Sequence, residues 1–313
     1  MANIELTLIF PGLAPVLEQK INTSIIPTYL AKIISKASFK GNRIGLSRTL
    51  FNHFSNSELT GADLPIRVLE SGCNNSLRAD PCYLHADRDR LLLFTDDLAL
   101  THDESTELIN EIQPLFEEFN GRLSQSNAEN WVLNLDSMPN IDFSALVEVS
   151  GKGIENALPK GENQQDWIRL WNEVQMSLHN SELNQRRVDN HKLPINSIWF
   201  WGAGRFDLKL NTWTEVQGQS VLLKQLAEKS QCPLVSTTDY SVSRLSSGNT
   251  LWLADELDLE DDWLSQLEHF DESVLKPLWN QCRKAGVSKI EIQIPDFGSY
   301  KLAPMDCWKF WKS

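Results

Sequence analysis

The sequence predicts an α/β protein: a mostly parallel sheet with flanking helices, carrying an inserted α+β domain. Three observations lead there. An apolar strand, Ile4 to Phe10, opens the chain. From Asn196 onward apolar strands alternate with helical patterns, as parallel sheets require. Between them, residues 75–188 have a different rhythm, with paired short strands and two long helices. The expected organisation is a core domain from residues 1–74 and 189–313, with residues 75–188 as the insertion.

The elements follow in order. Pro11-Gly12 ends the first strand. Ile26 to Ser38 has helical spacing through Leu30, Ile33, Ile34 and Ala37, with Pro27 near its start. Asp63 to Glu70 reads as a short helix after Gly61. Pro81 to Phe94 holds two short strands ending in Leu91-Leu92-Leu93-Phe94. Thr101 to Asn120 is a helix with Leu108, Ile112, Leu115, Phe116 and Phe119 on one face. Asn130 to Leu135 is a strand. Gln165 to His179 is a helix whose apolar face holds Trp167, Leu170, Trp171, Val174 and Leu178. The closing series is strand Ile198–Trp201, helix Val221–Lys229, strand Thr250–Ala254, a helical stretch Trp263–Arg283 broken near Asp271 or Pro277, and strand Lys289–Ile294.

Composition narrows the function classes. The chain has 313 residues, enough for two domains, and 41% of them are hydrophobic. A formal net charge of −13 argues against nucleic-acid partners, because phosphates would be repelled. No apolar run reaches the length of a membrane span, and the first ten residues read as a strand rather than a signal peptide. The five cysteines are widely spaced and form no C-x-x-C pair, so reduced thiols and the cytoplasm are expected. Most of the eleven tryptophans are expected to fill the core, although Trp199, Trp201, Trp308 and Trp311 lie near polar residues.

The segment from Leu178 to Arg205, LHNSELNQRRVDNHKLPINSIWFWGAGR, stands out. A dense polar run precedes Pro194, an apolar strand follows, and the strand ends in Gly202-Ala203-Gly204-Arg205. This order reads as a strand ending in a glycine turn at a sheet edge, where open α/β sheets bind ligands. Arg186, Arg187 and Arg205 have the fork geometry that grips phosphate or carboxylate; the competing role is ion pairing within an acidic chain.

The segment resembles the cofactor-independent phosphoglycerate mutases of the archaeal type, in the alkaline phosphatase superfamily. It is closer still to a short bacterial group that includes regulatory proteins of the RpfE type. The counterparts of the family's run are His179, Asn184, Arg187, Pro194-Ile195-Asn196 and Gly202-Ala203-Gly204. The resemblance implies an alkaline phosphatase-like core with an insertion, and two metal ions that activate a serine or threonine nucleophile. The chain departs from that pattern. Pro11 stands where the first metal-binding Asp is expected, and Ala62, in Gly61-Ala62-Asp63, where the nucleophile is expected. Asp296 remains, but Phe297 replaces the following His, and Asp255 to Asp262 lacks a His at the family's spacing.

The expected function is therefore that of a mutase-related protein without nucleophile or metal ligands, regulatory or ligand-binding, with no catalytic residue and no cofactor. His179, Asn184, Arg187, Asn196, Gly202, Gly204 and Arg205 are the candidate ligand-binding residues. The partner expected is a small phosphorylated or carboxylate ligand, or another protein. The competing expectation is an active mutase or phosphatase with a displaced nucleophile such as Thr60 and bound Mn or Zn. A structural role, with surface tryptophans making an oligomer, is a third. His85, Asp87 and Asp89 share one side of a strand and could hold a metal, but cross-strand ion pairs explain them as well. The acidic run lacks the spacing of a calcium loop and reads as a solvated loop.

Overall fold

The computed structural model describes residues 4–18, 26–235, 248–255, 257 and 263–308. The strands, in chain order, are β1 (Ile4–Ile9), β2 (Ser38–Gly41), β3 (Ser76–Asp87), β4 (Arg90–Phe94), β5 (Arg122–Asn127), β6 (Asn130–Asn134), β7 (Ile141–Asp142), β8 (Lys160–Gly161), β9 (Ser197–Trp201), β10 (Glu215–Gln217), β11 (Leu234–Val235), β12 (Gly248–Leu253), β13 (Lys289–Ile294) and β14 (Gly298–Leu302). The helices are α1 (Leu13–Glu18), α2 (Thr28–Lys36), α3 (Leu46–His53), α4 (Ile66–Ser71), α5 (His102–Ile112), α6 (Leu146–Val149), α7 (Gln164–His179), α8 (Glu182–Asp189), α9 (Val221–Lys229), α10 (Trp263–Phe270) and α11 (Lys276–Arg283).

The chain forms two compact units, residues 1–58 with 207–313, and residues 59–206. These limits differ from those drawn from the sequence. Residues 59–74 and 189–206 fold with the second unit, because β9 pairs antiparallel with β3 and Asp63 hydrogen-bonds the turn after β9. The apolar run Ile198–Trp201 is thus a strand, as its composition requires, but in an antiparallel sheet rather than the parallel one.

The first unit is built on a mixed, largely parallel sheet in the order β11-β10-β12-β1-β13-β14-β2. β10, β11, β12, β1 and β13 run parallel; the β13–β14 hairpin and β2 add antiparallel edge strands. Alternation sorts the side chains. Leu6, Leu8 and Phe10 of β1 and its extension share a core with Ile290, Ile292 and Ile294 of β13, and with Phe270, Val274, Leu275 and Leu278 from the helical layer. The alternate residues of β13, Lys289, Glu291 and Gln293, belong to the other face. The helical stretch after Trp263 does not break: it runs on to Arg283 through a π turn at Asp271–Leu275. The turn has a purpose: Asp271 accepts from the amides of Tyr29 (3.0 Å) and Leu30 (2.7 Å). These are orphan donors of α2, whose N-cap position is Pro27 and has no side-chain acceptor.

The second unit is antiparallel. β3 is one long strand that pairs with β4, β6 and β9, and β5 extends β6. The sequence helix 101–120 is α5, opened by a capping box between Thr101 and Glu104, followed by a 3₁₀ segment from Gln113 to Phe119 that starts where Pro114 cannot donate. Tryptophans fill this core, and four of them place their N–H groups on acceptors. Trp131 donates to the Ala128 carbonyl (3.0 Å), Trp171 to Ile198 (2.8 Å), Trp199 to Ser144 (2.8 Å) and Trp201 to Asp80 (2.7 Å). Trp308, in the first unit, is half exposed, and Trp311 lies outside the described residues. No described helix is long and apolar enough to cross a membrane.

Candidate functional site

The segment singled out in the sequence forms the junction of α7, α8 and β9, all within the second unit. Asn184 is buried. Its amide nitrogen donates to the carbonyls of Leu178 and Ile195 (both 2.7 Å), and its oxygen accepts from the Ile195 amide (2.8 Å). One side chain thereby ties the end of α7 to the start of β9. Asn196 does the same across the sheet, accepting from the Leu84 amide (2.7 Å) and donating to its carbonyl (2.9 Å), so it extends the β3–β9 ladder by one rung. The Arg187 side chain is only 1% exposed. It donates to the carbonyls of Leu193 (3.0 Å) and Leu98, and to the Glu104 carboxylate (2.8 Å).

The glycine turn is held the same way. Gly202 has φ 87°, and a Cβ there would lie 2.7 Å from Ile66 Cγ2 and 3.0 Å from Arg78 Cγ. Its amide and that of Ala203 both donate to Asp63 (2.9 and 2.7 Å). Gly204, at φ 125°, lies nearer solvent. His179 and Arg205 are exposed and have no polar partner among the described residues. The structure therefore brings Asn184, Arg187 and Asn196 together as ties between backbone segments, and leaves only His179 and Arg205 with open side chains. Arg186 is a surface ion pair with Glu107 at 2.6 Å.

The positions implied by the resemblance to be metal ligands lie at the carboxyl ends of the parallel strands, whereas Ala62, at the implied nucleophile position, lies in the second unit, where its carbonyl accepts from the Ala145 amide (3.1 Å). Pro11 follows β1 and offers no side-chain ligand. Asp255, after β12, accepts from the amides of Gln219 (3.0 Å) and Ser220 (2.5 Å), which open α9. Asp296, exposed in the turn between β13 and β14, has a left-handed φ of 63°, and Phe297 follows it. Most of the acidic run after Asp255 lies outside the described residues. Among the described residues no three His, Cys, Asp or Glu side chains converge, the His85, Asp87 and Asp89 strand included. The described side chains at these strand ends do not fit a pair of metal ions.

A different part of the first unit has the form of a binding site, and sequence reasoning missed it. A cavity of about 340 Å³ opens between α3, the segment after β2 and the polar face of β13 and β14. Thr49, Asn52 and His53 line it from α3, sharing a face because they are three and four residues apart. Glu291 and Gln293 line it from β13, Ser299 and Lys301 from β14. His53 Nε2 meets Gln293 Oε1 at 2.8 Å, and Gln293 Nε2 donates to Glu291 at 3.0 Å. Glu291 is also paired with Lys289 (3.2 Å) and Lys301 (3.4 Å). Burial lowers the pKa of His53, more than its Gln293 bond and the Glu291 charge raise it. Burial would raise Glu291, but the Gln293 bond and the two lysines outweigh it and hold that carboxyl below its ordinary value. The signal in the sequence was the strict alternation of KIEIQI, which marks one face of β13 as polar.

No family model matches the chain. Over 58 residues, 18% of this chain, it is 43% identical to a protein of Geobacter sulfurreducens described as a probable 2,3-bisphosphoglycerate-independent phosphoglycerate mutase. That segment is homologous to cofactor-independent phosphoglycerate mutase, and it spans 14% of the relative's length. The structure is similar to a cofactor-independent phosphoglycerate mutase from Thermoplasma acidophilum, with 14% identity and a TM-score of 0.44 over 97% of this chain and 90% of that one. It is also similar to a protein of Pyrococcus horikoshii, with 12% identity and a TM-score of 0.45 over 97% and 88%.

Proposed function

We propose that this chain is a non-catalytic relative of cofactor-independent phosphoglycerate mutase, acting in the cytoplasm as a regulatory or ligand-binding protein. One observation carries the reading: the acid after β12 serves the fold. Asp255 caps the backbone amides that open α9, where a phosphoryl-transfer site would need it on a cation. Pro11 after β1 and Ala62 beside Asp63 agree with it, since neither side chain can ligate or attack. The ligand in this reading is a small phosphorylated or carboxylate molecule. Arg205 is the arginine left open to hold one, because Arg187 is committed to backbone carbonyls and Glu104.

The test is a phosphoglycerate mutase assay on the purified chain with and without Mn²⁺, together with its metal content and calorimetry against phosphoglycerates. The expected result is no turnover in folded protein, no stoichiometric metal, and phosphoglycerate binding that Arg205→Ala weakens. Metal-dependent turnover would overturn the loss of catalysis. Absence of phosphoglycerate binding at millimolar concentration would overturn the ligand assignment.

A further inference from the structure

We propose that the cavity between α3 and the polar face of β13 and β14 is a binding site for a neutral, polyhydroxylated small molecule, a polyol or monosaccharide. The inference does not rest on the loss of catalysis, and it concerns a different site from Arg205.

The argument starts from charge. Four charged residues line the cavity, Lys40, Glu58, Glu291 and Lys301, and their formal charges cancel. Within that lining Glu291 is paired with Lys301, and Lys289 pairs with it from outside the lining. A site built to select an ion keeps an unbalanced charge of the opposite sign; this one does not. Among the described residues no Phe, Tyr or Trp lines the cavity, so the lining offers no aromatic platform for stacking, and its apolar contribution is Ile44 and Ile294. What remains is a wall of amides and hydroxyls around a space near the lower limit of small-molecule sites, which begin at roughly 300 Å³.

The polar wall is also oriented. A carboxylate can only accept, so Glu291 turns the Gln293 NH₂ toward itself and the Gln293 carbonyl toward His53. His53 must then carry its proton on Nε2 to donate to that carbonyl. Because burial keeps the ring neutral, Nδ1 is left as an acceptor. The relay from the two lysines through Glu291 and Gln293 thus fixes one imidazole tautomer beside a cavity otherwise lined by groups that both donate and accept. A hydroxyl donates and accepts from one atom, and several hydroxyls on one rigid frame match such a wall where a single anion or a flat ring does not.

The test uses the full-length chain and ligand-observed NMR with glucose and myo-inositol as probes, and inorganic phosphate and citrate as competitors. Saturable binding of a polyol is expected, with no displacement by either anion. His53→Gln keeps a donor for Gln293 and deletes the ring acceptor, so it should weaken binding about tenfold or more. Ser299→Ala, a smaller change on β14, should weaken it several-fold and guards against a folding defect in the first variant. Met176→Ala, on an exposed helix face of the second unit, should bind as the parent does. No saturable binding of either probe to folded protein at roughly 100 mM, a hundred times the concentration that corresponds to about −4 kcal/mol, overturns the proposal. Preferential binding of phosphate or citrate, lost in the same variants, overturns it in favour of an anion site. Polyol binding that both variants leave intact places the site elsewhere and overturns it too.

Discussion

Replacing Arg187 by Met separates a structural arginine from a ligand-gripping one. The side chain is 1% exposed and donates three hydrogen bonds, two to main-chain carbonyls and one to Glu104. Met fills much of the volume but donates nothing. Each charge-assisted bond is worth about 1.5–3 kcal/mol net. Compensation keeps the sum below the simple total: carbonyls have a second lone pair, and Glu104 keeps the Thr101 amide and Lys192 at 3.4 Å. Removing one partner of a buried ion pair costs about 3–5 kcal/mol, and that is the expected loss. For a unit of this size it lowers the melting temperature by roughly 6–20 °C. Urea denaturation followed by fluorescence measures it, and a double-mutant cycle with Glu104→Gln isolates the pair, with an expected coupling of about 0.5–3 kcal/mol. The pH dependence adds a signature. Burial would raise the Glu104 pKa, but the Thr101 amide, Arg187 and Lys192 outweigh it and hold it below the ordinary value. A depressed folded pKa contributes stability above the unfolded pKa of about 4.3, lost as pH falls through the folded value. Arg187→Met should flatten that acid limb. A loss under about 1 kcal/mol, or stability restored by phosphate or a small carboxylate, would refute the reasoning and return Arg187 to a ligand site.

Two further outcomes follow from buried polar groups in the first unit. His53 is neutral in the folded chain at a pH where the unfolded chain begins to protonate it, near pH 6.5, so the unfolded state takes up the extra proton and stability falls on acidification below that point; His53→Gln should remove this slope in urea midpoints measured from roughly pH 5 to 8. Asp271→Ala strips the acceptor from the Tyr29 and Leu30 amides and should cost about 0.5–2 kcal/mol in thermal denaturation, with no larger effect from the exposed neighbour change Glu272→Ala.

The legible parts of the fold were those with strong periodicity. Helix Val221–Lys229 and strand Lys289–Ile294 stand where their patterns put them, and the irregularity expected near Asp271 is a π turn within a continuous helix rather than a break. Partnership was not legible. A strand buried throughout, such as Ser197–Trp201, suits a parallel sheet or a fully covered antiparallel one equally, because burial on both faces removes the alternation that would tell them apart. The domain limits drawn from the sequence followed that strand into the parallel sheet, whereas its partner is β3. The cavity was invisible for a related reason. Thr49, Asn52 and His53 lie in one part of the chain and Glu291, Gln293 and Ser299 in another, and only the alternation in β13 hinted that a polar face needed company.

The polar density of residues 178–205 has a physical source that is independent of any ligand. Where α7 ends, α8 turns back and β9 begins, the backbone has no ladder or helix to pair with. Buried amides and carbonyls there must still find partners. Asn184 supplies two donors and an acceptor to Leu178 and Ile195, Asn196 imitates a strand neighbour for Leu84, and Arg187 closes on Leu98 and Leu193. Each of these residues could be read as a ligand contact from its type alone, since the chemistry that binds a carboxylate or phosphate also binds a carbonyl. Exposure separates the two roles. A side chain whose donors all end on the chain's own backbone has nothing left to offer, while Arg205, beyond the turn, retains its whole guanidinium. In the ligand-binding reading proposed above, the open side chains of this segment, His179 and Arg205, are the ones that would meet a ligand, and the buried ties between them fix where Arg205 is presented.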